Sequence, residues 1–307
     1  MKTPQIIKIS ISLIILSLLI YFIGPGKLIK TISNINIIYL IPIFIIYIIT
    51  FLIGAWNVDI LLKAIKYNIK FLTLVKYTVI SWSMGLISPG KIGDFTIVYF
   101  LKKENIESGK GFAVVFIDKL ITLLTLFIFA ILTALKFLTN KEFLLVLLIL
   151  STVVLSILCL LTKKVREFIK AKILKKYSEK FNGFYSTLEF LVKNNKKELF
   201  YNFCVTILKW VFSAINISII FLAFGEKANI IYITLISGSL IIFNLAPLTF
   251  HGIGLKETTG IYLYGLLGIS PEIILATYLI FNTLAYSVAA LAIYLLTNEI
   301  GNKPILN

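Results

Sequence analysis

The sequence predicts an all-α polytopic membrane protein, with about six spanning helices and two broken, re-entrant helical hairpins set in an inverted repeat. Three observations predict it. The 307-residue chain is 59% hydrophobic, with a mean hydropathy of +0.98, too apolar for a soluble domain. Apolar runs of spanning length occur at 6–23, 37–56, 111–135, 142–162, 199–223 and 271–297, where a helix needs about 20 residues to cross. Two further apolar regions, 74–103 and 230–267, are each interrupted near the middle by helix breakers and charges.

The first run, with Lys2 before it and Lys8 at its start, resembles a signal peptide. No small-residue cleavage site comes before Gly24-Pro25-Gly26, so it reads as a retained first helix. The whole chain, 1–307, reads as one integral membrane domain.

Lysine placement sets the orientation. The segment 163–197 carries Lys163, Lys164, Arg166, Lys170, Lys172, Lys175, Lys176 and Lys180, with Lys193, Lys196 and Lys197 at its end, which places it in the cytoplasm. Counting spans outward, the other inner loops hold Lys63, Lys66, Lys70, Lys76, Lys102, Lys103 and Lys110. The outer loops hold only Lys27, Lys30, Lys136, Lys141 and Lys227. Both termini come out cytoplasmic, and the expected location is the cell membrane. Within 163–192, Val165, Ile169, Ile173, Tyr177 and Phe181 recur every fourth residue between lysines. That pattern predicts a basic amphipathic helix on the inner leaflet.

The excess charge of +16, from 30 Lys+Arg against 14 Asp+Glu, lies in loops and in this segment. It points to anionic headgroups, not nucleic acid. The two cysteines, Cys159 and Cys204, both fall in predicted spans and form no framework.

With this topology the first broken hairpin enters from the cytoplasm and the second from outside. Each follows a span (37–56 or 199–223) and precedes a longer one (111–135 or 271–297). Asp94 and Glu257 lie 163 residues apart, and the same shift carries Asp118 next to Asn282. The halves 37–135 and 199–297 therefore read as an inverted repeat, the arrangement associated with alternating access.

The breaks carry the candidate chemistry. The first is Ser88-Pro89-Gly90-Lys91-Ile92-Gly93-Asp94. The second runs from Asn244-Leu245-Ala246-Pro247 through His251-Gly252-Ile253-Gly254-Leu255-Lys256-Glu257. Asp94 and Glu257 each follow a glycine-containing break, where an acid would cap a half-helix. Capping does not explain a lysine placed beside each acid at membrane depth, where ionisable groups are rare and functional. A binding role is therefore expected for Pro89, Gly90, Lys91, Asp94, Asn244, Pro247, Gly252, Gly254, Lys256 and Glu257. Half-helix N-termini with lysine and close-packed glycine make an anion site. Gly93 is a candidate too, although a turn or tight helix packing is its expected role.

Asp118 and Lys119 lie inside the span 111–135, either as a local pair near the headgroups or beside the first hairpin. Lys209, in 199–223, is too deep to reach water and calls for a partner such as Glu257 or Asp94. His251 is the only histidine. It has no ligand-spaced companion for a metal but could bond a phosphate. No metal or cofactor is expected, and no nucleophile–base arrangement or nucleotide loop supports an enzyme.

These motifs resemble a known family. The Ser88-Pro89-Gly90-Lys91-Ile92-Gly93-Asp94 stretch is similar to the P-x-R-x-G-E stretch of the lysylphosphatidylglycerol synthetase/flippase transmembrane family. Asp118-Lys119 resembles that family's acidic–basic pair in the following helix. Pro247 through Gly252-Ile253-Gly254-Leu255-Lys256-Glu257 resembles its P-x-x-x-G-G-x-G-x-R-E. Lys91 and Lys256 stand where arginine is common, and His251 where glycine or serine is usual.

The resemblance implies lipid translocation. The cargo it implies is an aminoacylated phospholipid in members fused to a soluble transferase, and a polyprenyl-phosphate sugar in stand-alone ones. This chain has no such transferase region. The expected function is thus flipping of an anionic lipid, either a polyprenyl-phosphate-linked sugar or a phospholipid. Two other classes stay open: a secondary transporter for a small anion or ion, and a non-catalytic membrane subunit whose partner is a glycosyltransferase.

Overall fold

The computed structural model describes residues 3–161, 182–245 and 249–301, and among these the secondary structure is helical throughout. We number the α-helices in chain order: α1 Thr3–Ile23, α2 Pro25–Ser33, α3 Leu40–Ala64, α4 Phe71–Ile87, α5 Ile97–Lys103, α6 Ser108–Phe137, α7 Asn140–Leu161, α8 Phe184–Asn194, α9 Lys196–Ala223, α10 Ile230–Leu245, α11 Leu255–Gly265 and α12 Pro271–Gly301. Helices cover each of the apolar runs that the sequence marks as spans. The segments Ile37–Ala64, Ser108–Phe137, Lys196–Ala223 and Pro271–Leu295 are each long and apolar enough to cross a membrane unaided. The chain is a multi-pass membrane protein. After α1 it turns by 85° into α2, at Gly24 with φ of 94°, a conformation a side chain would resist.

Both interrupted regions form helix–break–helix elements. In the first, a 3-10 segment, Pro89–Thr96, joins α4 to α5. In the second, α10 is followed by a 3-10 turn at Phe250–Gly252 and then by α11. The arms after the breaks, 7 residues in α5 and 11 in α11, rise only about 10 and 17 Å. Neither is long enough by itself to cross a hydrocarbon core of roughly 30 Å.

The two largest of the apolar cores lie mainly one in each half. Ala55, Val58, Leu61 and Leu62 of α3 pack with Leu74, Ile97, Leu101, Val114 and Val115. Ala214, Ile217 and Phe221 of α9 pack with Ile233, Ile236, Leu240, Leu263, Tyr264, Ile274 and Tyr278. The halves then grip each other reciprocally. Helix α3 lies along α9, α6 packs on α10, and α12 packs on α4. Each long span therefore covers the entry arm of the other half's hairpin. At one such crossing the Thr133 and Ser239 hydroxyls are 2.9 Å apart. At the same crossing a Cβ on Gly238 would come within 2.2 Å of the Phe129 ring.

The predicted basic amphipathic helix lies, up to residue 181, outside the described residues. Its described end is α8, which buries Phe184, Thr187 and Leu191. There the Lys193 ammonium donates to Glu189 at 2.5 Å and holds that carboxyl below its ordinary range.

Candidate functional site

The first break is built by close backbone contact. Gly90 and Lys91 both adopt left-handed conformations, with φ of 59° and 57°. For lysine that geometry costs energy and persists only where the surroundings enforce it. The enforcement is visible. The Gly93 amide donates to Ser88 Oγ at 2.6 Å, and a Cβ on Gly93 would lie 2.1 Å from the Met84 carbonyl oxygen. Gly93 is thus a packing residue. Gly85 serves the same contact, since a Cβ there would come within 1.8 Å of Asp94 Oδ1.

The second break is fixed by three contacts. The Phe250 amide donates to Ser12 Oγ of α1 at 2.8 Å. The Gly254 amide donates to Glu257 Oε2 at 2.6 Å. Gly254 has φ of 89° and faces Ile15, which a Cβ would approach within 2.8 Å. Glu257 therefore does cap α11, as an acid in the first turn should. Its other oxygen accepts from Asn282 Nδ2 at 3.1 Å, and Asn282 Oδ1 in turn accepts from Lys256 at 3.2 Å. Lys256 and Glu257 are only 5% and 1% exposed.

Asp94 behaves differently. It lies in the 3-10 segment before α5 and pairs with Lys119 of α6 at 3.0 Å. Lys119 also approaches Asp118 at 3.8 Å. Asp118 is 4% exposed and accepts from Asn202 Nδ2 of α9 at 3.4 Å. Asn202 also donates to the Asn57 carbonyl at 2.8 Å, while Asn57 donates to Thr206 Oγ1 at 3.1 Å. The Asp118–Lys119 pair thus belongs beside the first hairpin, of the two readings the sequence left open. The helix begins at Ser108, so Asp118 lies about 15 Å along it, deeper than a start at residue 111 implies.

One cavity, of about 680 Å³, collects these groups. Gly90, Lys91, Asp94, Asp118, Lys119, Lys209, Lys256 and Asn282 all line it. Lys119, Lys209 and Asn282 lie roughly 16 to 20 Å from the starts of helices about 42 to 46 Å long, so the cavity is at mid-bundle. Four lysines face two aspartates there. Lys119 and Lys256 have partners, but Lys209 does not take the carboxylate that the sequence led us to expect. Its ammonium lies 5.6 Å from the centre of the Trp210 ring, and no carboxylate bridges it, or Lys91, among the described residues.

The remaining expected residues lie elsewhere. Pro89 opens the first 3-10 segment, Asn244 lies in the last turn of α10, and His251 and Gly252 form the second 3-10 turn. Pro247 lies outside the described residues. Among the described residues no group of three or more His, Cys, Asp or Glu is gathered for a metal.

Sequence reasoning missed a second set of lining residues. Tyr47, Phe51, Thr78, Ser81, Trp82, Asn216 and Tyr286 also face the cavity. Their one visible signal is a hydroxyl, amide or large ring inside an apolar run.

The two halves match at several positions. A shift of 163 residues takes Asp94 to Glu257 and also Lys119 to Asn282. It takes Ser108, the start of α6, to Pro271, the start of α12. Lys91 maps to Gly254, both at positive φ. Each half thus carries one acid from its break bonded to one polar residue on the following long helix.

Comparison with known proteins places the chain in a family. The family described as the lysylphosphatidylglycerol synthase transmembrane region matches residues 5–293. A UPF0104 membrane protein of Methanocaldococcus jannaschii is 22% identical over 334 aligned positions, covering 98% of this chain and 97% of the relative. A UPF0104 membrane protein of Pyrococcus horikoshii is 28% identical over 167 positions, covering 53% of this chain and 49% of the relative. No solved structure matches. The chain belongs to the lysylphosphatidylglycerol synthase transmembrane family.

Proposed function

We propose that this member of the lysylphosphatidylglycerol synthase transmembrane family moves the headgroup of an anionic lipid, a lipid-linked sugar phosphate or a phospholipid, across the cell membrane. The observation that carries the reading is the pair Lys91 and Lys209: two ammonium groups that no carboxylate bridges among the described residues, on the wall of a mid-bundle cavity. A cation held away from bulk water needs a counter-charge, and a phosphate supplies one. Lys119 and Lys256 contribute to the same field, while Asp94, Asp118 and Glu257 keep it from holding the anion too tightly for release. The headgroup occupies the cavity and the tails stay in lipid.

In this reading both termini are cytoplasmic and the two halves have opposite orientations. Rocking of one against the other exposes the cavity to each side in turn. The protein acts as a translocator and catalyses no covalent step. It equilibrates the lipid between leaflets.

The test is reconstitution into liposomes containing fluorescent phosphatidylglycerol or a labelled polyprenyl phosphate. Label from the inner leaflet should become accessible to an external quencher, and substitution of Lys91 and Lys209 together should abolish this. Solute anion uptake without lipid movement would replace the reading with a small-anion transporter. Neither lipid nor solute movement, with a glycosyltransferase co-purifying, would replace it with an accessory subunit.

A further inference from the structure

A second concavity, a groove of about 570 Å³, runs along α3 to the start of α4 and shares no lining residue with the central cavity. Its deep end is apolar, with Leu52 and Ile53 of α3. Trp56 of α3 and Phe71 of α4 follow, 45% and 40% exposed. Asp59, Lys63 and Lys70 close the other end. From Leu52 to Lys63 the helix rises about 16 Å, close to half of a hydrocarbon core of roughly 30 Å. The groove thus matches one leaflet: apolar at depth, aromatic where amphipathic rings collect at the boundary, and charged beyond it. A single lipid molecule has the same order of parts.

The charged end has a specific construction. A lysine near a helix end ordinarily extends toward water. Here the Lys63 ammonium is drawn back onto the Asp59 carboxylate at 2.6 Å, one turn deeper on α3, where Asp59 is only 6% exposed. The pair keeps the ammonium on the groove wall. On the α4 side, Lys70 forms no ion pair among the described residues. Among the lining residues, two lysines against one aspartate leave a charge of +1, the complement of one phosphodiester. The tendency of lysine to collect on one side of a membrane accounts for Lys63 and Lys70, but not for an acid drawn in between them. Nor does the repeat require these groups. The shift of 163 residues carries Asp59, Lys63 and Lys70 to Leu222, Glu226 and Ile233.

We propose that this groove holds a resident glycerophospholipid with one phosphodiester and a single net negative charge, in the leaflet on the lysine-rich side of the bundle. The phosphate meets Lys63 and Lys70, the glycerol region lies against Trp56 and Phe71, and one chain runs over Leu52 and Ile53. The site is separate from the central cavity and does not rest on the translocation reading. Its lipid is not cargo: it stays in place and bridges α3 to α4.

Trp56 reports on the groove directly. The chain has three tryptophans, and the other two, Trp82 and Trp210, line the central cavity. The full-length W82F/W210F protein is placed in phosphatidylcholine vesicles, and the lipid is replaced stepwise by chain-brominated phosphatidylglycerol or chain-brominated phosphatidylcholine. Quenching of Trp56 then gives relative affinity at this surface. Phosphatidylglycerol should be preferred about fivefold, the gain that one net lysine charge supplies near a membrane surface. K70Q should bring the preference to about one, whereas D59N, which releases the charge of Lys63, should raise it roughly fivefold further. A merely structural role would move both variants in the same direction. A preference near one before substitution, or one that neither variant changes, makes this an ordinary lipid-facing surface and overturns the proposal. Native mass spectrometry of the K91M/K209M protein in detergent gives a second readout that keeps all three tryptophans. Phosphatidylglycerol should still be retained over phosphatidylcholine there, and adding K70Q should abolish that retention. Loss of retention already in K91M/K209M assigns the lipid to the central cavity, which overturns this proposal and leaves the translocation reading standing.

Discussion

Lys209→Met separates a binding role from a structural one, because the two predict opposite effects on stability and affinity. Lys209 lines the cavity from mid-α9. Its ammonium has an aromatic neighbour, Trp210, at 5.6 Å. Removing a lysine that holds a carboxylate strands a charge, at about 3–5 kcal/mol when fully buried. Removing Lys209 strands none. The loss is a cation–π contact of about 0.5–2 kcal/mol, and the gain is relief from holding a half-buried ammonium inside a bundle, smaller than the several kcal/mol of a fully buried ion. The methionine fills most of the same volume. Stability should therefore hold or rise.

Affinity for a lipid phosphate should fall, since a hydrogen bond to a charged group contributes about 1.5–3 kcal/mol, roughly a 10- to 140-fold change in Kd. Thermal melting in detergent and a binding titration with polyprenyl phosphate or phosphatidylglycerol on the same preparation measure both. A variant that melts several degrees lower yet binds as wild type would show that Lys209 holds the bundle together and does not meet the ligand. The reasoning would then be wrong at its base.

Further outcomes follow from the same contacts. Lys119→Met strands Asp94 and should cost about 1–3 kcal/mol, less than for a fully buried pair because Lys119 is partly exposed; adding Asp94→Asn should recover most of it in a double-mutant cycle of chemical denaturation. Asn202→Leu removes the donor to both Asp118 and the Asn57 carbonyl and should destabilise by about 2–3 kcal/mol, read by the same denaturation; no change would mean the polar chain across α3, α6 and α9 is decorative. Gly93→Ala forces a Cβ against the Met84 carbonyl and should cost about 1–3 kcal/mol, whereas Gly26→Ala meets nothing within 4 Å and should leave melting unchanged.

The parts of this structure that were legible in the sequence are those written as local contrast. Breaks stand out against apolar runs, so Pro89, Gly90 and the paired Lys91/Asp94 and Lys256/Glu257 motifs could be found by eye. Pairing across helices is different. Whether Asp118-Lys119 faces headgroups or the first hairpin depends on the rotation of α6 and on where it begins. Both are set by α3 and α9, which lie far away in sequence.

Lys209 illustrates the same limit. Depth alone called for an acid, but the adjacent Trp210 ring lies beside the ammonium, and the nearest aspartates are taken by Lys119. The second set of lining residues was invisible for a further reason. Thr78, Ser81 and Tyr47 are ordinary in a spanning helix. Only coordinates show that they line the cavity.

The reciprocal packing of the halves makes a statement about motion. The acid–polar contacts at the breaks, Asp94 with Lys119 and Glu257 with Asn282, each lie within one half, and so in the main do the two largest apolar cores, while a smaller cluster of Tyr47, Leu86, Ala285 and Ala289 joins the halves. The crossings α3 on α9, α6 on α10 and α12 on α4 lie between halves. A device that exposes one cavity to each side in turn must keep the first set and slide the second, because packed cores shift between discrete arrangements and do not deform smoothly. The Thr133 and Ser239 hydroxyls, 2.9 Å apart across the α6–α10 crossing, offer a place to test this. In a background lacking Cys159 and Cys204, T133C/S239C should cross-link under mild oxidation. The oxidised protein should still bind lipid phosphate yet lose most translocation in liposomes, and a reductant should restore it. Translocation at the wild-type rate with the bond quantitatively formed would mean that α6 and α10 travel together, and that the moving boundary lies elsewhere in the bundle.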